Sequence, residues 1–296
     1  MYGVVCPALS QLASIDRAIH AVEHAERAQA AQDWPTALEA LSTALLVGPN
    51  NLHLRQLRLL TYTHLQDPEG YIGDLARLSH LQPSSSSHSV KLAHFAYLVQ
   101  ADPTRALGYI KQALHFDPDS TPHRKVHKLI RTLDKQVTQA RNFVEGGKYR
   151  EALKVLLGTG TVSSTTAGTR LGGLIQAVQS AITESTSTTS TNSATPLIPP
   201  TFQPMQTSHL LLELYRLVLK SHLRLGLSNT SELEKYADFV LDLSGGQGDV
   251  DALTAKGEVA SKKEDWEEAV RRFNEAFEKG GRSSQDVSWG RGSDLV

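Results

Sequence analysis

The stretch Asp33-Trp34-Pro35-Thr36-Ala37-Leu38-Glu39-Ala40-Leu41-Ser42-Thr43-Ala44-Leu45-Leu46-Val47-Gly48-Pro49 decides the fold. Trp34, Ala37, Leu41 and Ala44 are spaced three, four and three apart, which puts them on one face of a helix. The small alanines let a second helix approach closely, Leu41 fills the layer between them, and Pro49 closes the unit. The same cassette returns as Ala106, Ile110, Ala113 and Pro118, opened by Asp102-Pro103. Its first half recurs in Tyr149, Ala152 and Leu156, and it recurs again in Trp266, Ala269, Phe273 and Ala276. Each cassette follows another stretch of helical character, so the repeating unit is a helical hairpin.

The period identifies the hairpin. Pro49 to Pro83 is 34 residues and Pro83 to Pro118 is 35. A two-helix unit of about 34 residues is the tetratricopeptide repeat. On that register the Ala37 slot falls on Tyr71 and Ala106. The small-residue slot of the first helix falls on Ala25, Leu59, His94, Ala140, Ser221 and Gly257. The larger occupants in the second and third units predict looser or rotated packing there. The predicted fold class is all-α, a tetratricopeptide solenoid of about six hairpins in two blocks.

Composition fits an elongated stack in which each helix buries one stripe: 40% of residues are hydrophobic and 6% aromatic. A formal net charge of -1 gives no basic field for nucleic acid or an anionic membrane, so neither is expected as a partner. Cys6 is the single cysteine, which rules out an internal disulfide framework. No apolar run reaches the roughly 18 residues of a membrane-spanning helix.

Residues 1–13 read as a leader. Block 1 runs over residues 14–157, with hairpins at 15–47, 51–81 and 90–116 and a long bridging helix over residues 123–145, striped by Leu129, Leu133, Val137, Ala140 and Val144. Gly146-Gly147 ends that helix, and residues 148–157 form its partner. Residues 158–206 read as a Gly/Ser/Thr/Pro-rich insertion. Within it 171–182 has the pattern of a short helix, and 183–206 has too little apolar content to pack. Block 2 covers residues 207–280, and residues 281–296 read as a disordered tail.

Motifs with chemical potential give way to simpler readings. His20-Ala21-Val22-Glu23-His24 matches an inverted zinc-protease pattern, but its helix is a packing helix and no third ligand is suitably spaced. His123 and His127 repeat the spacing with the same lack of support. Gly146-Gly147-Lys148 lacks the upstream glycine, the hydroxyl residue and the preceding strand of a phosphate loop. Trp34 and Trp266 are expected in the packed layer at the start of the second helix. No nucleophile, base and orienting group combine, so no enzyme, metal or cofactor is expected. Asn229-Thr230-Ser231 is a glycosylation acceptor by sequence.

Three features together resemble the tetratricopeptide part of the ER-lumenal DnaJ co-chaperones, the kinase-inhibitor type. They are the Asp33–Ala44 cassette, the run Ala113-Leu114-His115-Phe116-Asp117-Pro118-Asp119 feeding the long helix through His127-Lys128-Leu129, and the closing Gly147-Lys148-Tyr149-Arg150-Glu151-Ala152-Leu153. The resemblance covers roughly residues 25–279. It implies a scaffold in the endoplasmic reticulum lumen that binds unfolded or partly folded proteins, with a cytoplasmic location as the alternative. The chain has no His-Pro-Asp tripeptide, so coupling to a heat-shock ATPase chaperone through a J-domain is not carried over.

The register also bears on what is bound. Positions that hold Lys and Asn in carboxylate-capturing tetratricopeptide proteins carry Val22, Glu26, Leu57, His88 and Leu92. The expected groove presents Leu60, Phe95, Leu98 and Val99 beside Gln56, Thr63 and Lys91. Such a surface suits apolar segments of unfolded chains better than an acidic tail. The alternative is an assembly scaffold with one dedicated protein partner.

Overall fold

The computed structural model describes residues 7–83, 85–158, 173–187, 196–226, 230–243 and 245–280. Among these residues every regular element is helical, and the architecture is a tetratricopeptide-repeat solenoid. The helices are α1 (Pro7–Ala30), α2 (Trp34–Val47), α3 (Leu52–Leu65), α4 (Pro68–Leu81), α5 (Ser86–His94), α6 (Pro103–Phe116) and α7 (Thr121–Glu145). After them come α8 (Tyr149–Leu157), α9 (Leu174–Thr186), α10 (Pro204–Thr207), α11 (His209–Leu225), α12 (Thr230–Asp242), α13 (Val250–Lys262) and α14 (Trp266–Gly280). A π turn (Phe95–Val99) extends α5, and a 3₁₀ turn (Pro200–Phe202) precedes α10.

Local chemistry sets the helix starts. Asp33, Asp67 and Asp102 each cap the second helix of a hairpin by accepting a backbone N–H, from Thr36, Gly70 and Arg105 respectively. A proline at the first or second helical position follows each of them, where the missing N–H costs nothing. Gly147, at φ 71°, ends α7, and Lys148 N–H closes back onto the Phe143 carbonyl.

Packing follows the small-residue register. Ala37, Ala106 and Ala152 are fully buried, Ala269 nearly so, and Tyr71 takes the same slot in the second hairpin. On the first helices Ala25, Ala140 and Ser221 are fully buried. Gly257 lies so close to the Phe273 ring that a Cβ there would sit 2.7 Å from it. Leu59 is only half-buried, and α3 instead turns Leu54 and Thr61 inward, the rotation expected from a large residue in a small slot. In α7 the buried stripe is Val126, Ile130, Leu133, Val137, Ala140 and Val144, with Leu129 at its edge.

The chain forms two compact units. One contains the residues up to Thr132 and the segment Ala181–Pro204, and the other contains Leu133–Ser180 and the residues from Met205 onward. Helices α1 to α6 pack in sequence in the first. In the second, α8 packs on α11, and α11 to α14 follow one another.

Several expectations are corrected. The presumed leader is helical from Pro7, as the start of α1. Helix α8, expected to finish block 1, belongs with α11, because Ala152 and Leu156 are buried in the second unit. Of the 183–206 stretch, residues 183–187 and 196–206 pack despite their polar composition, and residues 188–195 lie outside the described residues. Helix α9 runs on to Thr186, Ser185 is 1% exposed, Ile198 is fully buried and Phe202 is 5% exposed. A few apolar anchors suffice where the surrounding helices supply the rest of the core. Trp34 is half-buried and stacks on His64 of the next hairpin, with ring centroids 3.8 Å apart. Trp266 is 64% exposed, since no later helix among the described residues packs over it. Residues 1–6, 159–172 and 281–296, and with them the tail expectation, lie outside the described residues.

Candidate peptide-binding site

In the first unit Tyr71 and Phe95 form a cleft that the ring of Phe202 fills, and all three side chains are buried. Tyr71 comes from α4, where a large side chain takes the slot that alanine fills in other hairpins, and it is buried beside Leu75 and Leu78. Phe95 opens the π turn, whose Gln100 N–H reaches back five residues to the Phe95 carbonyl. Phe202, from the 3₁₀ turn, enters edge-on against both, at centroid distances of 5.2 Å from Tyr71 and 5.8 Å from Phe95. The 3₁₀ turn lies against α3. Burial alone pushes the Tyr71 hydroxyl up to about 12, so it stays protonated and neutral throughout the physiological range.

Beside the cleft, polar groups are paired in the interior. His94 Nδ1 lies 2.8 Å from Ser185 Oγ, and Ser185 Oγ donates to the Ala181 carbonyl at 2.6 Å. The Ser185 proton is thereby committed, so His94 Nδ1 carries the proton of their shared bond and Nε2 is bare. Burial holds the His94 ring down at about 4. His123 is likewise a satisfied interior histidine, 2.7 Å from Ser89 Oγ on one side and 2.7 Å from Ser120 Oγ on the other. On α3, Arg58 pairs with Asp74 at 2.6 and 2.7 Å while Arg55 also reaches it, and Arg58 is held above its ordinary value by that bond.

The sequence-derived groove residues divide into two sets. Gln56 is exposed, Leu60 is 48% exposed and Thr63 is half-buried, all on α3. Lys91 is half-buried on α5, and desolvation lowers its ammonium below the usual lysine value. Phe95 and Leu98 are 1% exposed and Val99 6%, so these three are core in this conformation. Sequence reasoning missed the partner that covers Phe95. The signal was present as isolated Ile198 and Phe202 in a polar run, but nothing local says where they dock.

Other candidates fall elsewhere. His20 and His24 are exposed and line an open cleft of about 570 Å³ between α1 and α2, together with Arg17, Arg27 and Glu39. Among the described residues no three His, Cys, Asp or Glu side chains are grouped to hold a metal ion. No helix among them is long and apolar enough to cross a membrane. In the second unit, Tyr215, Tyr236 and Phe239 line a cleft of about 340 Å³ together with Gln179, which donates to the Tyr215 hydroxyl. The Asn229 acceptor lies outside the described residues.

The chain is similar to known co-chaperones. It is 37% identical over 255 residues to the tetratricopeptide repeat and J domain-containing co-chaperone DNJ1 of Cryptococcus neoformans, an alignment covering 86% of this chain and 45% of that protein. It is 31% identical over 250 residues to the DNJ1 co-chaperone of Mycosarcoma maydis, covering 82% of this chain and 41% of that protein. The chain thus spans less than half the length of these relatives. Among solved structures, the P58(IPK) TPR domain superposes with a TM-score of 0.62 at 18% identity, over 94% of this chain and 64% of that one, and it shares the fold. No protein-family model matches the chain.

Proposed function

We propose that this chain is a non-enzymatic co-chaperone scaffold that binds unfolded or partly folded polypeptide during protein folding in the endoplasmic reticulum lumen. The similarity to tetratricopeptide co-chaperones over 86% of the chain carries the reading. The register supports the choice of ligand. The positions that would clamp a carboxylate hold Val22, Glu26, Leu57, His88 and Leu92, and the accessible face of α3 offers Leu60 and Gln56. Coupling to a heat-shock ATPase would come from a J-domain in the whole protein.

Binding to reduced, carboxymethylated α-lactalbumin tests the reading. Capture by apolar contact changes less than about twofold between 50 and 500 mM salt, whereas carboxylate capture weakens strongly as charge is screened. Leu60→Glu on the exposed face reduces capture with the helical signal intact. Salt-sensitive binding that Leu60→Glu leaves untouched would rule the reading out. A dedicated-partner scaffold, cytoplasmic in location, is the second reading. It draws support from the exposed Trp266, Val270 and Phe277, apolar side chains that fall on one face of α14 at helical spacing.

A further inference from the structure

The segment Pro196-Leu197-Ile198-Pro199-Pro200-Thr201-Phe202-Gln203-Pro204 belongs to the first unit and packs there against Tyr71 and Phe95, residues more than a hundred positions earlier in the chain. We infer that the Tyr71–Phe95 cleft is a client-binding site and that Phe202 is its internal occupant, displaced when an aromatic side chain of an unfolded polypeptide takes its place. This rests on the co-chaperone reading above and names the surface and the client chemistry it implies.

Three observations carry the inference. The first is how the segment is held. Leu197 and Ile198 N–H both donate to one carbonyl, that of Ser185. Four of the nine positions are proline and have no N–H to give, so a backbone ladder cannot lock the segment in place. Further along, Phe202 N–H and Gln203 N–H turn back onto Pro199 and Pro200 of the segment itself. Ile198 and Phe202 anchor the segment with buried side chains, and another polypeptide carries the same side chains.

The second observation is conformation. Pro199, at φ -58° and ψ 128°, holds the extended geometry in which proline-containing peptides dock on aromatic surfaces. Gln203 then turns sharply with a positive φ of 48°, a conformation that costs energy in a non-glycine residue.

The third is the receptor. Tyr71 and Phe95 are held 6.2 Å apart, tilted by 37°, and leave an edge-on berth for a third ring. Phe95 is placed there by a π turn, a costly departure from α geometry that recurs at ligand-contacting positions. The repeat register independently puts Phe95 on the groove face of its helix. The chemistry selects the client: an extended segment with Phe or Tyr as anchor and an aliphatic residue about four positions before it, as Ile198 stands to Phe202.

The test uses the full chain, a fluorescent peptide of residues 196–204, and reduced, carboxymethylated α-lactalbumin. Phe202→Ala should take up the peptide and the α-lactalbumin at least tenfold more tightly than the unmodified chain does. A peptide with Ala in place of its Phe should not bind. In the unmodified chain, saturating α-lactalbumin should raise hydrogen exchange in the 196–204 segment several-fold, a readout that needs no variant to fold. Capture of α-lactalbumin with that segment's exchange unchanged would overturn the internal-occupant inference and leave the co-chaperone reading standing. Loss of helical signal in Phe202→Ala, together with unchanged exchange in the unmodified chain, would show Phe202 to be permanent core. If neither protein captures α-lactalbumin, the co-chaperone reading fails and this inference fails with it.

Discussion

Mild acid should loosen the first unit through His94. This ring is 8% exposed, and its Nδ1–H is given to Ser185. Burial lowers its pKa from an ordinary 6.5 to about 4. Between those values the unfolded chain binds a proton that the folded chain refuses. The stability due to neutral His94 is therefore fully present above pH 6.5, and it is lost as pH falls toward 4. The whole difference is worth about 3 kcal/mol, of which about 2 kcal/mol is lost by pH 5. Urea unfolding followed by Trp34 fluorescence, in a background of Trp266→Phe and Trp289→Phe, isolates the first unit. His94→Asn keeps a donor toward Ser185 but cannot titrate. The parent should lose about 2 kcal/mol more than His94→Asn between pH 7 and pH 5. His88 and His123, also lowered by burial, contribute equally to both proteins and cancel. Equal pH slopes in the two proteins, or a His94 ring that titrates near 6.5, would refute the argument.

Two further outcomes follow from packing. Asp74 is 2% exposed between Arg55 and Arg58, so Asp74→Ala deprives two partly buried guanidinium groups of their only carboxylate partner among the described residues and should cost about 3 kcal/mol by urea midpoint; a loss under about 1 kcal/mol would mean the pairing is cosmetic. A Cβ at Gly108 meets nothing within 4 Å, so Gly108→Ala should raise stability by up to about 1 kcal/mol, while Gly257→Ala, pressed against Phe273, should lower the melting midpoint; stabilisation by both would break the register.

What the sequence revealed and what it hid have a common physical cause. The contacts of a repeat are short-range in sequence, so a period near 34 residues and a small side chain every turn or so are enough to place Ala37, Ala106, Ala152 and Ala269 in closed interfaces. Those positions were legible because each answers to a neighbour one helix away. The Phe95–Phe202 contact joins residues more than a hundred positions apart, outside the reach of the repeat period. Its segment shows a Ser/Thr/Pro composition in which two apolar anchors look incidental. The π turn was invisible for a related reason, since Phe-Ala-Tyr-Leu-Val reads equally well as ordinary helix and only the packing around Phe95 selects the wider turn. Trp266 shows the converse error. Its cassette matches that of Trp34, but Trp34 is sheltered by His64 of the following hairpin, and no such helix covers Trp266 among the described residues. Periodicity therefore locates the shared scaffold, whereas the features that distinguish this chain arise where an unrepeated segment meets a repeated surface. For that reason the aromatic cleft, rather than the helical stack, is the place to look for its function.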